Sequence, residues 1–145
     1  GALYGVMCKD QIICDAVCRA CKHFKSTDGK PIPMIGAANT IMETTCADMD
    51  IPFVQEYIAD LEYDENGDCI ISRTHESVNL ERFRARLAKA LREGTIESQP
   101  NGKAVDLKFS AAPLSLCVHS DTPGATELAA ITREEVDRFN NEVGF

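Results

Sequence analysis

The chain has 145 residues, which is long enough for one domain. Its formal net charge of −8 argues against nucleic acids and anionic membrane surfaces as partners. No apolar run approaches the roughly 20 residues that a membrane span requires. The seven cysteines, an odd number with several in apolar stretches, favour reduced thiols in a cytoplasmic protein over a disulfide framework.

The first half of the chain is predicted to alternate helices with short strands. Apolar residues at spacings of three and four indicate a long first helix, and the Asn66-Gly67 pair is typical of a tight hairpin turn. The predicted elements are, in order, a helix over 6–25, a strand over 32–36, a helix capped by Asn39 and ending near Asp48, a strand over 52–60 and a hairpin over 63–71.

The second half contains the clearest helix of the chain, which Asn79 is predicted to cap and Gly94 to end. The further predicted elements are short strands over 95–98 and 103–109, a strand over 114–119 and then a final helical region in which residues 132–135 have the pattern of a capping box. Alternation of this kind predicts an α/β fold with parallel strands in a single domain over 1–145. About three core strands are too few to close a barrel.

Polar side chains follow two of the predicted strands. His119 ends the last strand and Asp121 follows it, whereas Asp60 ends the strand over 52–60, with Tyr63 just beyond and Arg73 after the hairpin. The C-terminal ends of parallel strands collect substrate-facing side chains, and a carboxylate can orient and support a histidine. His119 and Asp121 therefore predict an acid/base site, the alternative being a structural histidine with a turn or cap aspartate. Asp60, Tyr63 and Arg73 could hold a small carboxylate-bearing substrate, the alternative being a turn-capping aspartate, a packed tyrosine and a solvated arginine.

Three cysteines, Cys14, Cys18 and Cys21, have the C-x3-C-x2-C spacing of some iron–sulfur sites. The same spacing places all three on one face of a helix, where small apolar side chains pack well, and we favour this second interpretation. His23 lacks the second Cys/His pair of a zinc finger, and the sequence has no Gly-rich phosphate loop, nucleophile elbow or dinucleotide fingerprint.

Four segments together carry a resemblance to a known family. They lie at 1–4, at 34–38, at 57–63 with Gly67 and Arg73, and at 117–123. In this order and at this spacing they resemble the LamB/YcsF family, whose patterns include G-A-L-Y, V-G-L-A-G, F-A-D-R-x-Y and V-C-V-H-G-D-x-P. The family comprises the A component of bacterial 5-oxoprolinase and the fungal lactam-utilisation protein.

The resemblance implies an α/β fold of a particular kind. The family has a seven-stranded β/α barrel like that of polysaccharide deacetylases and related glycoside hydrolases, and this chain would be its C-terminal portion. The implied reaction is the ATP-dependent opening of the 5-oxoproline ring to glutamate, carried out with separate B and C components. A lactam is a stable amide, and phosphorylation of its oxygen would make its carbonyl open to attack by water.

The resemblance also implies roles for individual residues. His119 would be a general acid/base, Asp121 its orienting partner or a metal-facing carboxylate, and Asp60 a further catalytic carboxylate. Arg73 would hold substrate or phosphate, and Tyr63 would bind substrate, as would Tyr4. ATP is the implied cofactor, and the family leaves a divalent metal open.

The sequence departs from the family patterns at Gly5, at Leu61 in place of the arginine of F-A-D-R, and at Ser120 in place of a glycine. The family's N-terminal motifs, D-x-N, A-C-G-F-H and a Lys-Pro-His directly before Gly1, are absent from the chain. We therefore expect it to pair with the missing N-terminal portion of the barrel or with another copy. The alternative to an active hydrolase is a non-catalytic barrel subunit of the same complex.

Overall fold

The computed structural model describes residues 2–72, 74, 76–110 and 113–145. Its helices are α1 (Ala2–Met7), α2 (Gln11–Cys21), α3 (Ile41–Asp48), α4 (Leu80–Glu93) and α5 (Ala125–Val143). Its strands are β1 (Met34–Ala37), β2 (Phe53–Ile58), β3 (Glu62–Tyr63), β4 (Cys69–Ile70), β5 (Thr95–Glu97), β6 (Ala104–Asp106) and β7 (Leu114–Cys117). The predicted α/β class is confirmed.

The described strands form one three-stranded sheet with the order β1-β2-β7 and two short antiparallel pairs, β3-β4 and β5-β6. β1 runs parallel to β2, with Met34 opposite Phe53 and Ala37 opposite Glu56. Because parallel neighbours need a crossover, α3 lies in the chain between these two strands. The carboxyl end of β2 leads directly to Asp60, and that of β7 leads to His119.

By its internal contacts the chain divides into two compact units, one comprising residues 1–57 and 109–115 and the other residues 58–108 and 116–145. The prediction of one domain over the whole chain stays a prediction. None of the described helices is both long enough and apolar enough to cross a membrane.

The first unit buries a sulfur-rich core. Its buried members are Met7, Cys14, Cys18, Met42, Cys46 and Ile51. The Sγ atom of Cys18 lies 3.9 Å from that of Cys14 and 3.9 Å from that of Cys46. Burial, followed by the neighbouring thiols, raises the pKa of Cys18, so it stays a protonated thiol at neutral pH. Cys14 and Cys18 thus pack on one buried face of α2, as the second interpretation of the cysteine spacing predicts.

Close packing of α3 against β1 depends on a residue without a side chain. A Cβ atom at Gly36 would lie 2.6 Å from Met42 Cε and 3.0 Å from the Phe53 ring. A larger residue would therefore require the end of the flexible Met42 side chain to move and would crowd the Phe53 ring, which favours glycine at this position of the strand.

The second unit packs α4 against α5 through apolar faces and one buried ion cluster. The buried apolar side chains include Phe83, Leu87, Ala90, Leu128 and Ile131. The fully buried carboxylate of Glu135 lies 2.7 Å from Arg84 Nη1 and 3.1 Å from Arg138 Nη1, so it is paired on both sides. Asn79 caps α4 by accepting from the Arg82 N–H, and Gly94 ends it in the left-handed region, both as predicted.

Three local predictions are wrong at their boundaries. The single helix over 6–25 is two helices, because the Asp10 side chain accepts from the Ile13 N–H and starts α2 afresh. Thr40 rather than Asn39 is the N-cap of α3, and Asn39 instead donates its backbone N–H to Glu43. The threonine of the capping-box pattern, Thr132, lies inside α5 and donates its hydroxyl to the Leu128 carbonyl one turn earlier.

Candidate functional site

The ends of β2 and β7 bring Asp60 and His119 together. Each residue lies two positions beyond its strand, and the Ala59 N–H donates to the Cys117 carbonyl at 2.9 Å, which holds the two strand ends side by side. The His119 ring Nδ1 lies 3.0 Å from Asp60 Oδ1. Two residues that are 59 positions apart in sequence therefore form a carboxylate–imidazole pair.

Asp60 accepts hydrogen bonds from three groups. Thr122 Oγ1 donates to its Oδ2 atom at 2.6 Å, and the backbone N–H of His119 donates to the same atom at 3.0 Å. The imidazole supplies the third contact, at Oδ1. The Asp60 side chain is fully buried, whereas 38% of the His119 side chain is exposed. The carboxylate is thus enclosed while part of the imidazole stays within reach of a ligand.

The balance of burial and hydrogen bonding keeps Asp60 ionised. Burial is the largest influence and raises the pKa of Asp60, but the donors from Thr122 and His119 together outweigh it and lower that pKa below its ordinary value. An ionised carboxylate can only accept hydrogen bonds, so His119 Nδ1 carries the shared proton. In the neutral ring, Nε2 is then left with its lone pair, the arrangement that general acid/base catalysis needs.

Tyr63 supports the turn that carries Asp60. Its hydroxyl accepts from the Ile58 N–H at 3.0 Å and donates to the Ile58 carbonyl at 3.1 Å. The Gln99 N–H donates in turn to the Tyr63 carbonyl at 2.8 Å, and the tyrosine is only 6% exposed. The structure therefore places the phenol against the backbone of the strand end, and the binding of substrate by Tyr63 stays a prediction.

The other predicted site residues are distributed differently. Asp121 is exposed, and the orienting role that the sequence offers it at His119 Nδ1 is filled by Asp60. Tyr4 belongs to the first unit, where its hydroxyl donates to Glu56 Oε2 at 2.8 Å. Arg73 lies outside the described residues. The catalytic role of Asp121 and the substrate-binding roles of Tyr4 and Arg73 stay predictions.

Thr122 is the site residue that sequence reasoning missed. It is 3% exposed and makes the shortest of the three hydrogen bonds to Asp60. Threonine after a strand is ordinarily interpreted as a turn or cap residue, which hid this role. The available signal was a hydroxyl three residues after a candidate catalytic histidine, within the same motif.

A metal site is not formed by the side chains in the described ranges. No group of three or more histidine, cysteine, aspartate or glutamate residues among them is placed to hold a metal ion. Within the described part of the chain, Asp60 and His119 thus form a pair rather than part of a larger cluster of metal-binding side chains.

Removing the Thr122 hydroxyl is expected to raise the pKa of Asp60. In a Thr122→Val variant, the buried carboxylate loses a donor while the side-chain volume is nearly kept, so the free energy of unfolding falls by about 1–3 kcal/mol. Carbon-detected NMR titration of the Asp60 carboxyl group and urea unfolding measure the two effects. Thr122→Ser keeps the hydroxyl and serves as the control; equal effects of the two variants would contradict this role.

The lowered pKa of Asp60 predicts acid-dependent stability with a definite sign. Because the folded pKa lies below the ordinary value, the stabilisation is fully present above that value and is lost as the pH falls through the folded pKa. An Asp60→Asn variant should therefore lose stability less steeply than the native protein below about pH 4. Chemical unfolding across this range measures the slope.

The control for the pH experiment is Asp137→Asn. Asp137 is a half-exposed carboxylate in a helical ion pair with Arg133 and should leave the slope almost unchanged. If the free energy of unfolding fell with pH equally steeply in the native chain and in Asp60→Asn, the protonation of Asp60 would not be the cause of the acid-dependent loss of stability.

Comparisons with known proteins agree on one group of relatives. The chain is 32% identical over 145 residues to the lactam utilization protein lamB of Emericella nidulans, covering all of this chain and 54% of that protein. It is 29% identical to the A subunit of the 5-oxoprolinase of Staphylococcus haemolyticus, covering 95% of this chain and 52% of that protein. The chain thus spans about half the length of these relatives.

A solved structure supports the fold. The crystal structure of a lactam utilization protein from Thermus thermophilus matches with a TM-score of 0.72 and 24% sequence identity, over 95% of this chain and 52% of the other. At this identity the match establishes a shared α/β fold. The family model of the LamB/YcsF family matches residues 1–144. The chain therefore belongs to the LamB/YcsF family.

Proposed function

We propose that the chain is part of an ATP-dependent 5-oxoprolinase or a related lactam hydrolase that opens a cyclic amide to an amino acid. The observation that carries the proposal is the pairing of a buried, ionised Asp60 with a partly exposed His119. The names of the relatives, a lactam utilization protein and the A subunit of a 5-oxoprolinase, support the substrate class.

In this proposal His119 moves a proton at Nε2. This atom takes a proton from the water whose oxygen attacks the lactam carbonyl carbon. It then gives that proton to the lactam nitrogen as the carbon–nitrogen bond breaks. Asp60 holds the ring through Nδ1 and stabilises the imidazolium that forms between the two steps. The products are a carboxylate and an amine on one open chain, as in glutamate.

When bound, ATP would activate the lactam oxygen, as the family resemblance implies. Arg73, the cation that the resemblance assigns to substrate or phosphate, lies outside the described residues. No residue that the structure describes is assigned to the triphosphate. Asp121, which is exposed and lies two residues after His119 in the sequence, is the carboxylate that the resemblance would turn toward a divalent metal.

We also propose that a further polypeptide segment completes a β/α barrel along β1. Among the described strands, β1 is at an edge of the sheet and pairs with β2 alone. Ile35 on this strand is 49% exposed, and Phe24 and Ile32 beside a nearby apolar groove are 64% and 45% exposed. The occupant that fits is the half of the relatives' fold that this chain does not span. The B and C components would be further partners.

A non-catalytic barrel subunit is the second candidate function. The family pattern has an arginine after the aspartate of F-A-D-R, whereas Leu61 here is apolar and 7% exposed. The loss of that cation beside Asp60 is the observation that favours a subunit without activity. Turnover by the complete assembly separates the two functions.

Replacing His119 is expected to abolish turnover in an assembly that contains the completing segment and the B and C components. His119→Gln should lower the ATP-dependent release of glutamate from 5-oxoproline by about 100-fold or more, because the proton-transfer group is lost. His23→Gln, an exposed histidine in the first unit, is the matched control and should keep native activity. Native activity in His119→Gln would contradict the catalytic role, and an assembled but inactive native complex would support the non-catalytic function.

The exposed edge of β1, as the described strands show it, predicts that the isolated chain self-associates. Light scattering after size-exclusion chromatography should show oligomers or aggregates, which Ile35→Lys reduces because it places a charge on the edge strand. Ile12→Lys changes an 80% exposed residue of α2 and should leave the association as it is. A well-folded native monomer would contradict the proposal of a missing segment, and a defined dimer would point to a second copy as the occupant.

A further inference from the structure

The geometry points to Arg86 as a positioning residue that fixes the turn carrying Asp60. Arg86 lies in the middle of α4, on the face of the helix that also carries the charged Arg82 and Lys89. Its side chain is only 11% exposed, an unusual environment for an arginine on such a face. The residue is therefore held by specific contacts rather than solvated.

The guanidinium group of Arg86 bridges two points of the turn. Its Nη2 donates to the Ala59 carbonyl, directly before Asp60, and its Nη1 lies 2.9 Å from Glu62 Oε2, two residues after Asp60. One rigid, planar group thus holds the chain on both sides of the catalytic carboxylate without touching the carboxylate itself. The turn is therefore held from α4, by a residue 27 positions after Ala59 in the sequence.

Together with the other contacts, this bridge anchors nearly every residue of the turn. Ile58 is held by the Tyr63 hydroxyl, and the Ala59 N–H donates to the Cys117 carbonyl. With the Ala59 carbonyl bound by Arg86, both backbone polar groups of Ala59 are satisfied. The position of Asp60 relative to His119 is then set before any ligand arrives, which is the condition for efficient proton transfer.

Arginine suits this position better than lysine. Its guanidinium presents several N–H donors in a fixed plane and can donate to a carbonyl while it pairs with a carboxylate, whereas an ammonium group on a flexible stem acts as a point charge. Glu62 pairs with the buried charge and so reduces the cost of burying it. The family's arginine beside the aspartate is the buried Leu61 here, and Arg86 brings a cation to the same turn from another element.

Arg82 provides a matched control on the same helix. It lies one turn before Arg86 and approaches the same carboxylate, with Nη2 at 3.5 Å from Glu62 Oε1, but its side chain is 61% exposed. Substituting Arg82 removes the same charge from the same surface while leaving the bridge from Arg86 in place. The two variants therefore separate a positioning contact from a general effect of charge.

The test uses the 145-residue chain, with Ile35→Lys present in every variant to limit association through β1, and two readouts that do not depend on activity. Arg86→Gln is expected to speed hydrogen exchange of the His119 backbone N–H, which donates to Asp60, by about tenfold. It should also raise the pKa of Asp60 toward its ordinary value in a carboxyl NMR titration, since the donors are no longer held in line. Arg82→Gln should leave both unchanged. Native behaviour in Arg86→Gln, or equal changes in both variants, would overturn the assignment.

If Arg86→Gln does not fold, the same two readouts are measured in Arg86→Lys. Lysine retains the charge but lacks the fixed, planar array of donors that holds Ala59 and Glu62 in one arrangement, so both readouts should change in the same direction by a smaller amount. A lysine variant identical to the native chain would overturn the bridging role. The consequence for catalysis, a fall in kcat with little change in KM, rests on the proposed function, whereas the two structural readouts stand without it.

Discussion

The buried carboxylate of Asp60 is the constraint on which the site depends. An ionised group with no exposed surface is stable only if donors surround it, and here they come from Thr122 and from both the backbone and the ring of His119. Each donor must stay in line, so the ends of β2 and β7 are held at fixed positions. The same requirement determines the tautomer of His119, because a charged carboxylate accepts and never donates.

Under the proposed function, this arrangement would connect the fold to the chemistry of a stable amide. Opening a lactam needs a group that takes a proton from water and returns it to nitrogen, and a partly exposed imidazole backed by a carboxylate can do both. The chain spans about half of its relatives, and β1 leaves a strand edge and apolar side chains uncovered among the described residues. Under the proposed function, a completing segment would cover that edge.

Sequence reasoning found the two central residues but not the contacts that support them. Asp60 and His119 were predictable because polar residues directly follow apolar strands, and such strand ends share one edge of a sheet. The roles of Thr122 and Arg86 depend on contacts 62 and 27 positions apart, which no local pattern encodes. The break before α2 was missed for a similar reason, since apolar spacing continues through Asp10 although its side chain caps a new helix.

The central claim, that ionised Asp60 fixes the His119 ring, is tested most directly by ¹⁵N NMR of the imidazole. In the neutral ring, we expect a proton on Nδ1, with a coupling to that hydrogen, and an unprotonated Nε2. Asp60→Asn should allow the other tautomer to appear, because an amide can donate as well as accept. An unprotonated Nδ1 in the native chain would contradict the claim, since the carboxylate would then have no proton to accept from the ring.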